Sequence, residues 1–396
     1  MVNIMKTKSK WPLASRIAFL LALVIAVGLV AFGCVSGLAA VGWSGGTIDD
    51  GILYVGSQQG RLVAVNLADD SRAFSEVLIP ISQPGLFGCS ASSGGLGGCA
   101  GGAATVPIYG TPVVSGNLSY IAAYNGKVYA YSYSNNNLAT RWVYPREGNL
   151  SSIVGGVAVA QGKVFFGCTD GKVYALDAEV GDYLWESATT GDKIWGTPAV
   201  DGDILYIGSF DKKLYALNIA DGTIKWEYAT EGSIISTPLI YQDTVIIGSF
   251  DRNLYALNAS NGTPKWTVPF GGKNWFWAQP LIINDVLYVG CLDHFVYVIN
   301  PATGVKITEL DLKNPLASTP VVVGNSVVFV NRKGVVYSVG IGTYEVKELI
   351  DLKKTVNGPL AAYGDIVYIH TQENVLERIN AVTGALFNPI SLNSSQ

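Results

Sequence analysis

Residues 208–226 read GSFDKKLYALNIADGTIKW, and residues 248–266 read GSFDRNLYALNASNGTPKW. A chain that restates itself forty residues later is tightly constrained, because self-similarity at a period of about 20–50 residues marks stacked units that cannot bury their apolar faces alone. Aligning on this stretch recovers eight units. Their Val/Ile/Tyr-rich runs are ILYVGS from Ile52, LSYIAAY from Leu118, KVFFGC from Lys163 and ILYIGS from Ile204. The series continues with TVIIGS from Thr244, VLYVGC from Val286, SVVFVN from Ser326 and IVYIHT from Ile366. Seven of the eight follow a short stretch that usually carries Pro: TPVV at Thr111, GVAV at Gly156, TPAV at Thr197, TPLI at Thr237, QPLI at Gln279, TPVV at Thr319 and GPLA at Gly358. Successive spacings are 45, 41, 40, 42, 40 and 39 residues.

Each unit alternates apolar runs with Gly, Asp and Asn, the pattern of four short strands joined by tight turns, which is one blade of a β-propeller. The expected fold is therefore all-β, an eight-bladed β-propeller over residues 41–396, with an N-terminal transmembrane or signal helix in residues 1–40. A composition of 49% apolar and 14% charged residues, with 46 Gly, suits such a core-rich chain of strands and turns. Pro at the start of a first strand fits an edge position, where no ladder N–H is needed, and that edge would line the central channel. Trp142, Trp185, Trp226 and Trp266 fall at matching places in four units, with Phe74 in the same place in the first and Thr308 in the sixth. A large aromatic there can dock on the next blade, so this set reads as structural.

The first forty residues hold Lys6, Lys8, Lys10 and Arg16 with no acid, and the remainder carries 22 basic against 30 acidic residues. An acidic body lacks the basic footprint that nucleic acid requires. From Ile17 to Val41 the chain is uncharged and apolar, longer than the core of an ordinary signal peptide and flanked by cations that stay in the cytoplasm. The expectation is a membrane-anchored protein with its propeller outside the cytoplasm. A cleavage site at Gly37-Leu38-Ala39 would release a secreted form, and Ala31-Phe32-Gly33-Cys34 is loosely like a lipobox that would acylate Cys34.

LYALNIADGTIKW, VYALDAEVGDYLW and LYALNASNGTPKW resemble the tryptophan-docking repeat of the pyrroloquinoline-quinone (PQQ) propellers. That group includes quinoprotein alcohol dehydrogenases and the BamB-like envelope scaffolds. The resemblance runs from about Trp43 to Leu392 and implies eight blades. It does not imply one function, because the same repeats serve enzymes, scaffolds and sensors. The enzyme branch implies an adjacent Cys-Cys pair and acidic and amide ligands for Ca²⁺ beside PQQ. No two cysteines here are neighbours, and Cys-x-x-Cys-His is absent. The only histidines, His294 and His370, support neither a Ser-His-Asp arrangement nor a metal site. The balance is against catalysis, and no cofactor is expected. The BamB-like branch implies a scaffold that presents one face to other envelope proteins.

Sites are sought where the copies differ. The residues three before the Pro position are Tyr109, Val154, Trp195, Ile235, Trp277, Ala317 and Val356, expected to ring the channel mouth. Lys193 and Lys273 fall close in sequence to the two Trp residues, with Lys313, Lys353 and Lys354 in later connections. Tyr109, Trp195, Trp277, Lys193 and Lys273 are thus a candidate rim for a protein, or for a small molecule or glycan. Asp170, Asp211, Asp251 and Asp293, in the turns between second and third strands, read as turn chemistry. A Gly- and Ser-rich insertion at 75–108 contains Cys89 and Cys99, which enclose nine residues and form a plausible extracytoplasmic disulfide. Cys168 and Cys291 read as buried free thiols.

Overall fold

The computed structural model describes residues 44–78 and 106–393. Among them there is no helix; thirty-two strands form eight four-stranded antiparallel sheets. Each sheet is one continuous piece of chain, with its strands side by side in sequence order. The fourth is representative: Ala199–Asp201, Ile204–Gly208, Lys213–Asn218 and Ile224–Ala229. First strands of neighbouring sheets adjoin one another, so they line the axis. The proposed N-terminal helix, the lipobox Cys34 and the Cys89–Cys99 pair all lie outside the described residues.

The core is divided among the junctions. Every apolar cluster draws on two neighbouring blades, as where Phe165 and Trp185 of the third meet Ile194, Leu205 and Tyr215 around the fourth. Burying one such side chain fully stabilises by roughly 1.5–3 kcal/mol as an upper estimate, so each junction contributes substantially to holding the ring. The four tryptophans lie at these junctions. Trp142 Nε1 donates to the Ala178 carbonyl at 3.0 Å, Trp185 to Ile219 at 3.0 Å, Trp226 to Ala259 at 3.0 Å and Trp266 to Pro301 at 2.8 Å. In each case the acceptor belongs to the following blade.

In blade one the docking place is not Phe74. Ala73 pairs with Ala64, as Trp226 pairs with Ala216, whereas Phe74 lies opposite Val63. Blade four has a register shift between Ala216 and Leu217 that carries the chain one residue further before Trp226. The fourth strand of blade one, Arg72–Phe74, has no such bulge, so counting from the turn overshoots by one. Thr308, opposite Val298, does hold the docking place in blade six.

Among the described residues, no strand is exchanged between the first and eighth blades. Their junction is packed by Leu53, Val63, Tyr368 and Leu376 and latched by side chains. The Asn374 side chain accepts from the Gln58 amide at 2.8 Å, Arg72 donates to the Ser391 carbonyl at 2.6 Å, and Arg378 pairs with Asp70 at 2.7 Å.

Candidate functional site

Connections between blades and turns between second and third strands share one face. Each connection first drops an apolar anchor into the protein: Ile108, Ile153, Ile194, Ile234, Phe276, Leu316 and Val356, all essentially inaccessible. The Gly of the GS or GC motif makes room for it. A Cβ on Gly208 would come within 2.2 Å of the Ile234 side chain, and one on Gly167 within 2.2 Å of Ile194. With the anchors fixed, the next residue of each connection borders the channel. Six of the expected ring, Tyr109, Val154, Trp195, Ile235, Trp277 and Ala317, line one hollow of about 320 Å³.

Val356 does not belong to that ring; Asn357 does. The first strand of blade eight begins with Ala361 opposite Tyr368, as that of blade five begins with Leu239 opposite Ile246. Leu360 therefore stands where other blades have Pro, and Pro359 is one residue early. Val356 is the buried anchor.

Deeper in the hollow the lining turns polar without becoming charged: Thr111, Thr197, Thr237 and Thr319, with Gln279. Among the described residues, no Asp, Glu, Lys, Arg or His lines it. Thr197 Oγ1 accepts from the Gly156 amide at 2.7 Å. The indole nitrogen of Trp195 is buried without an acceptor among the described residues.

An aromatic row extends outward from the mouth. Trp195 packs edge-on to Phe210 at 4.7 Å between centroids, and Phe210 edge-on to Phe250 at 6.4 Å. Phe250 stacks on Trp275 at 4.4 Å and lies near-parallel to Trp277 at 6.0 Å. Trp275 is 41% exposed. Beside it, Trp275, Trp277, Leu292, Ala317, Arg332 and Asn357 enclose a second, mainly apolar hollow of about 230 Å³, where Arg332 donates to Asn357 at 3.1 Å. Across the channel mouth, Tyr109 packs edge-on to Tyr124 at 5.9 Å.

The rim lysines part company. The Lys193 ammonium lies 5.2 Å from the Trp195 ring and 4.6 Å from that of Phe210, a cation–π arrangement. Lys273 turns instead to Phe295 of blade six at 5.0 Å. Lys313 pairs with Asp311 at 3.0 Å, and Lys354 pairs with Glu373 and Glu377 at 2.7 and 2.8 Å. Asp311, bonded by the backbone and side chain of Lys313 and by His294, is lowered to about 2.

Asp211, Asp251 and Asp293 work as clamps, while Asp170 accepts from the Lys172 amide and the Tyr174 hydroxyl of its own blade. Asp211 accepts from the Lys213 amide at 3.0 Å, the Tyr215 hydroxyl at 2.6 Å and, across the junction, the Gly191 amide at 2.7 Å. Asp293 does the same for Phe295, Tyr297 and Lys273. Burial and the aspartate bond raise the phenols of Tyr215 and Tyr297. Cys168 and Cys291 donate to the Ser151 and Asn274 carbonyls at 3.1 and 3.2 Å, and burial first pushes each thiol up to about 12. Such thiols are poor nucleophiles.

These features define an eight-bladed propeller of tryptophan-docked repeats, with an uncharged channel mouth and an aromatic row on one face. The chain belongs to the family described as outer membrane protein assembly factor BamB, whose profile matches residues 36–194 and again 187–387. The crystal structure of BamB from Moraxella catarrhalis superposes with a TM-score of 0.64 at 17% identity, covering 85% of this chain and 93% of that one. The computationally designed Ika8 protein superposes with a TM-score of 0.61 at 18% identity, covering 71% and 86%. At these identities the likeness is one of fold. A lanthanide-dependent methanol dehydrogenase of Methylacidiphilum fumariolicum (strain SolV) is 34% identical over 107 residues, 24% of this chain and 18% of that enzyme. The chain thus spans less than a fifth of that relative.

The channel lining does not suit a quinone cofactor. PQQ bears carboxylates, and the lining offers them no cation. Among the described residues no group of three or more His, Cys, Asp or Glu is placed to hold a metal ion.

Proposed function

We propose that this protein is an extracytoplasmic scaffold, tethered to the membrane by its apolar N-terminal segment, which docks an envelope protein on the face carrying Trp195, Trp275 and Trp277. One observation carries the reading: Trp275 is 41% exposed while stacked on Phe250 at 4.4 Å. A large aromatic held rigid and half open to water loses little entropy when a partner covers it, and Trp, Tyr and Arg dominate the energetics of protein interfaces. Arg332 and the apolar hollow beside Trp275 supply the rest of such a patch. Membership of the BamB family supports the same reading.

Site-specific photo-crosslinking in native membranes tests it, with probes at positions 195, 275 and 277 and a control at Tyr363, which ends a first strand on the opposite face. A discrete protein adduct from the three rim probes and none from the control is the expected result. Equal labelling from both faces, or none from the rim of a folded and exported protein, overturns it. Release of the protein from membranes by salt alone would remove the tether.

A further inference from the structure

We propose that the channel mouth binds a neutral, polyhydroxylated ligand, the terminal sugars of an oligosaccharide. This goes beyond protein docking on the outer aromatic row and does not depend on it.

The lining combines two chemistries. Trp195, Trp277 and Tyr109 supply flat apolar surfaces at the mouth, against which the C–H faces of a sugar ring pack. Below them are the hydroxyls of Thr111, Thr197, Thr237 and Thr319 and the amide of Gln279, with the Asn357 amide beside the aromatics at the mouth. Hydroxyls and amides both donate and accept, as sugar hydroxyls do. Among the described residues no charged side chain belongs to the lining, which selects against an anion, for which no lining cation compensates the loss of hydration. Lys193 does not alter this, because its ammonium lies against the rings of Trp195 and Phe210 and is not among the lining residues.

A purely apolar occupant is disfavoured too. It would offer the threonine hydroxyls nothing to bond and would not satisfy the Trp195 indole N–H, a buried donor with no acceptor among the described residues. Leaving such a donor unpaired is costly, so a ligand oxygen there gains more than an ordinary surface contact. The hollow, about 320 Å³, lies at the small end of the range for small-ligand sites, roughly 300–1,000 Å³, and holds one or two sugar residues rather than a chain.

The test is titration of the full-length protein with maltotriose and chitotriose, read by tryptophan fluorescence and calorimetry, with trigalacturonate as the anionic counterpart. Saturable binding of a neutral trisaccharide is expected, with trigalacturonate weaker by about tenfold or more. Trp195→Phe keeps an aromatic face, smaller than the indole, and removes the N–H, and Thr237→Val keeps the shape and removes the hydroxyl. Each should weaken binding about five- to tenfold with an unchanged melting temperature. No saturable response to either neutral sugar from folded protein overturns the proposal, as does full affinity in both variants or tighter binding of trigalacturonate. Columns of amylose and chitin separate the sources: retention assigns a polymer end, and trisaccharide binding without retention assigns a free oligosaccharide. Because no protein partner enters these measurements, their failure leaves the docking face standing, and a failed crosslinking experiment leaves them standing.

Discussion

Gly262 lies directly against the indole of Trp226, so close that a Cβ on the glycine would come 2.6 Å from Cε3 of the ring. The same pairing joins Gly181 to Trp142, Gly222 to Trp185 and Gly304 to Trp266, always from one blade to the one before it. All four glycines have positive φ. The turn thus needs glycine twice over, for its backbone and for the ring packed on it.

Gly262→Ala should therefore destabilise more than Gly202→Ala. Both positions have positive φ, but Gly202 has nothing within 4 Å of a Cβ. The first substitution adds overpacking of about 1–3 kcal/mol to a backbone penalty of about 1 kcal/mol that both share. Thermal unfolding of the two variants measures the difference.

Asp211→Ala removes an acceptor used by Lys213, Tyr215 and Gly191. A loss of about 2 kcal/mol is expected, with Tyr215→Phe costing about 1 kcal/mol. A double-mutant cycle in urea should show the two losses to be strongly non-additive, because they remove the same bond.

His370, at the seam between the eighth and first blades, donates from Nδ1 to the Ser44 carbonyl at 2.9 Å, and its Nε2 is buried without a partner among the described residues. With a carbonyl opposite, Nδ1 carries the proton and the neutral ring is the form that fits. Burial lowers the His370 pKa below its ordinary 6.5, against the opposing pull of Ser44 and Asn374. The unfolded chain thus binds the proton more readily than the folded one. Stability is full above pH 6.5 and is lost as pH falls below it, by at most about 1.4 kcal/mol per pH unit. Denaturant midpoints across pH 7.5–5 for the native protein and His370→Asn measure this; the variant should show the shallower slope.

Cys168 and Cys291 are fully buried, with thiols pushed up to about 12. Iodoacetamide at pH 8 should leave both unlabelled in the folded protein and label both after denaturation, as peptide mass mapping will show.

The fold was legible because packing repeats wherever geometry repeats. Forty-residue spacing, the GS motif and the recurring Trp each record a contact made at several junctions. What could not be read was the single-residue offset. Pro359 stands one place early, and blade one lacks the bulge that precedes Trp226, so Val356 and Phe74 were assigned places held by Asn357 and Ala73. Hydrogen-bond register decides such positions, and register leaves no mark in a string of letters. The site was legible in part. Trp195 and Trp277 stood out because they break the pattern of their connections. Phe210 and Phe250 were hidden in plain view inside GSFD, where identity between two copies looked like packing. That two neighbouring turns carry Phe, and others Thr169 or Arg332, was the available signal.

Because every blade is a contiguous stretch of chain and, among the described residues, the seam is latched by side chains, the ring has no privileged starting point. The order in which the ribosome delivers the blades is separable from the object they build. A circularly permuted gene, opened in the connection between the fourth and fifth blades and joined across the old ends, should encode the same ring. By the same reasoning, duplication of one unit changes the ring's size without breaking any blade, which gives evolution a simple way to widen or narrow the central opening.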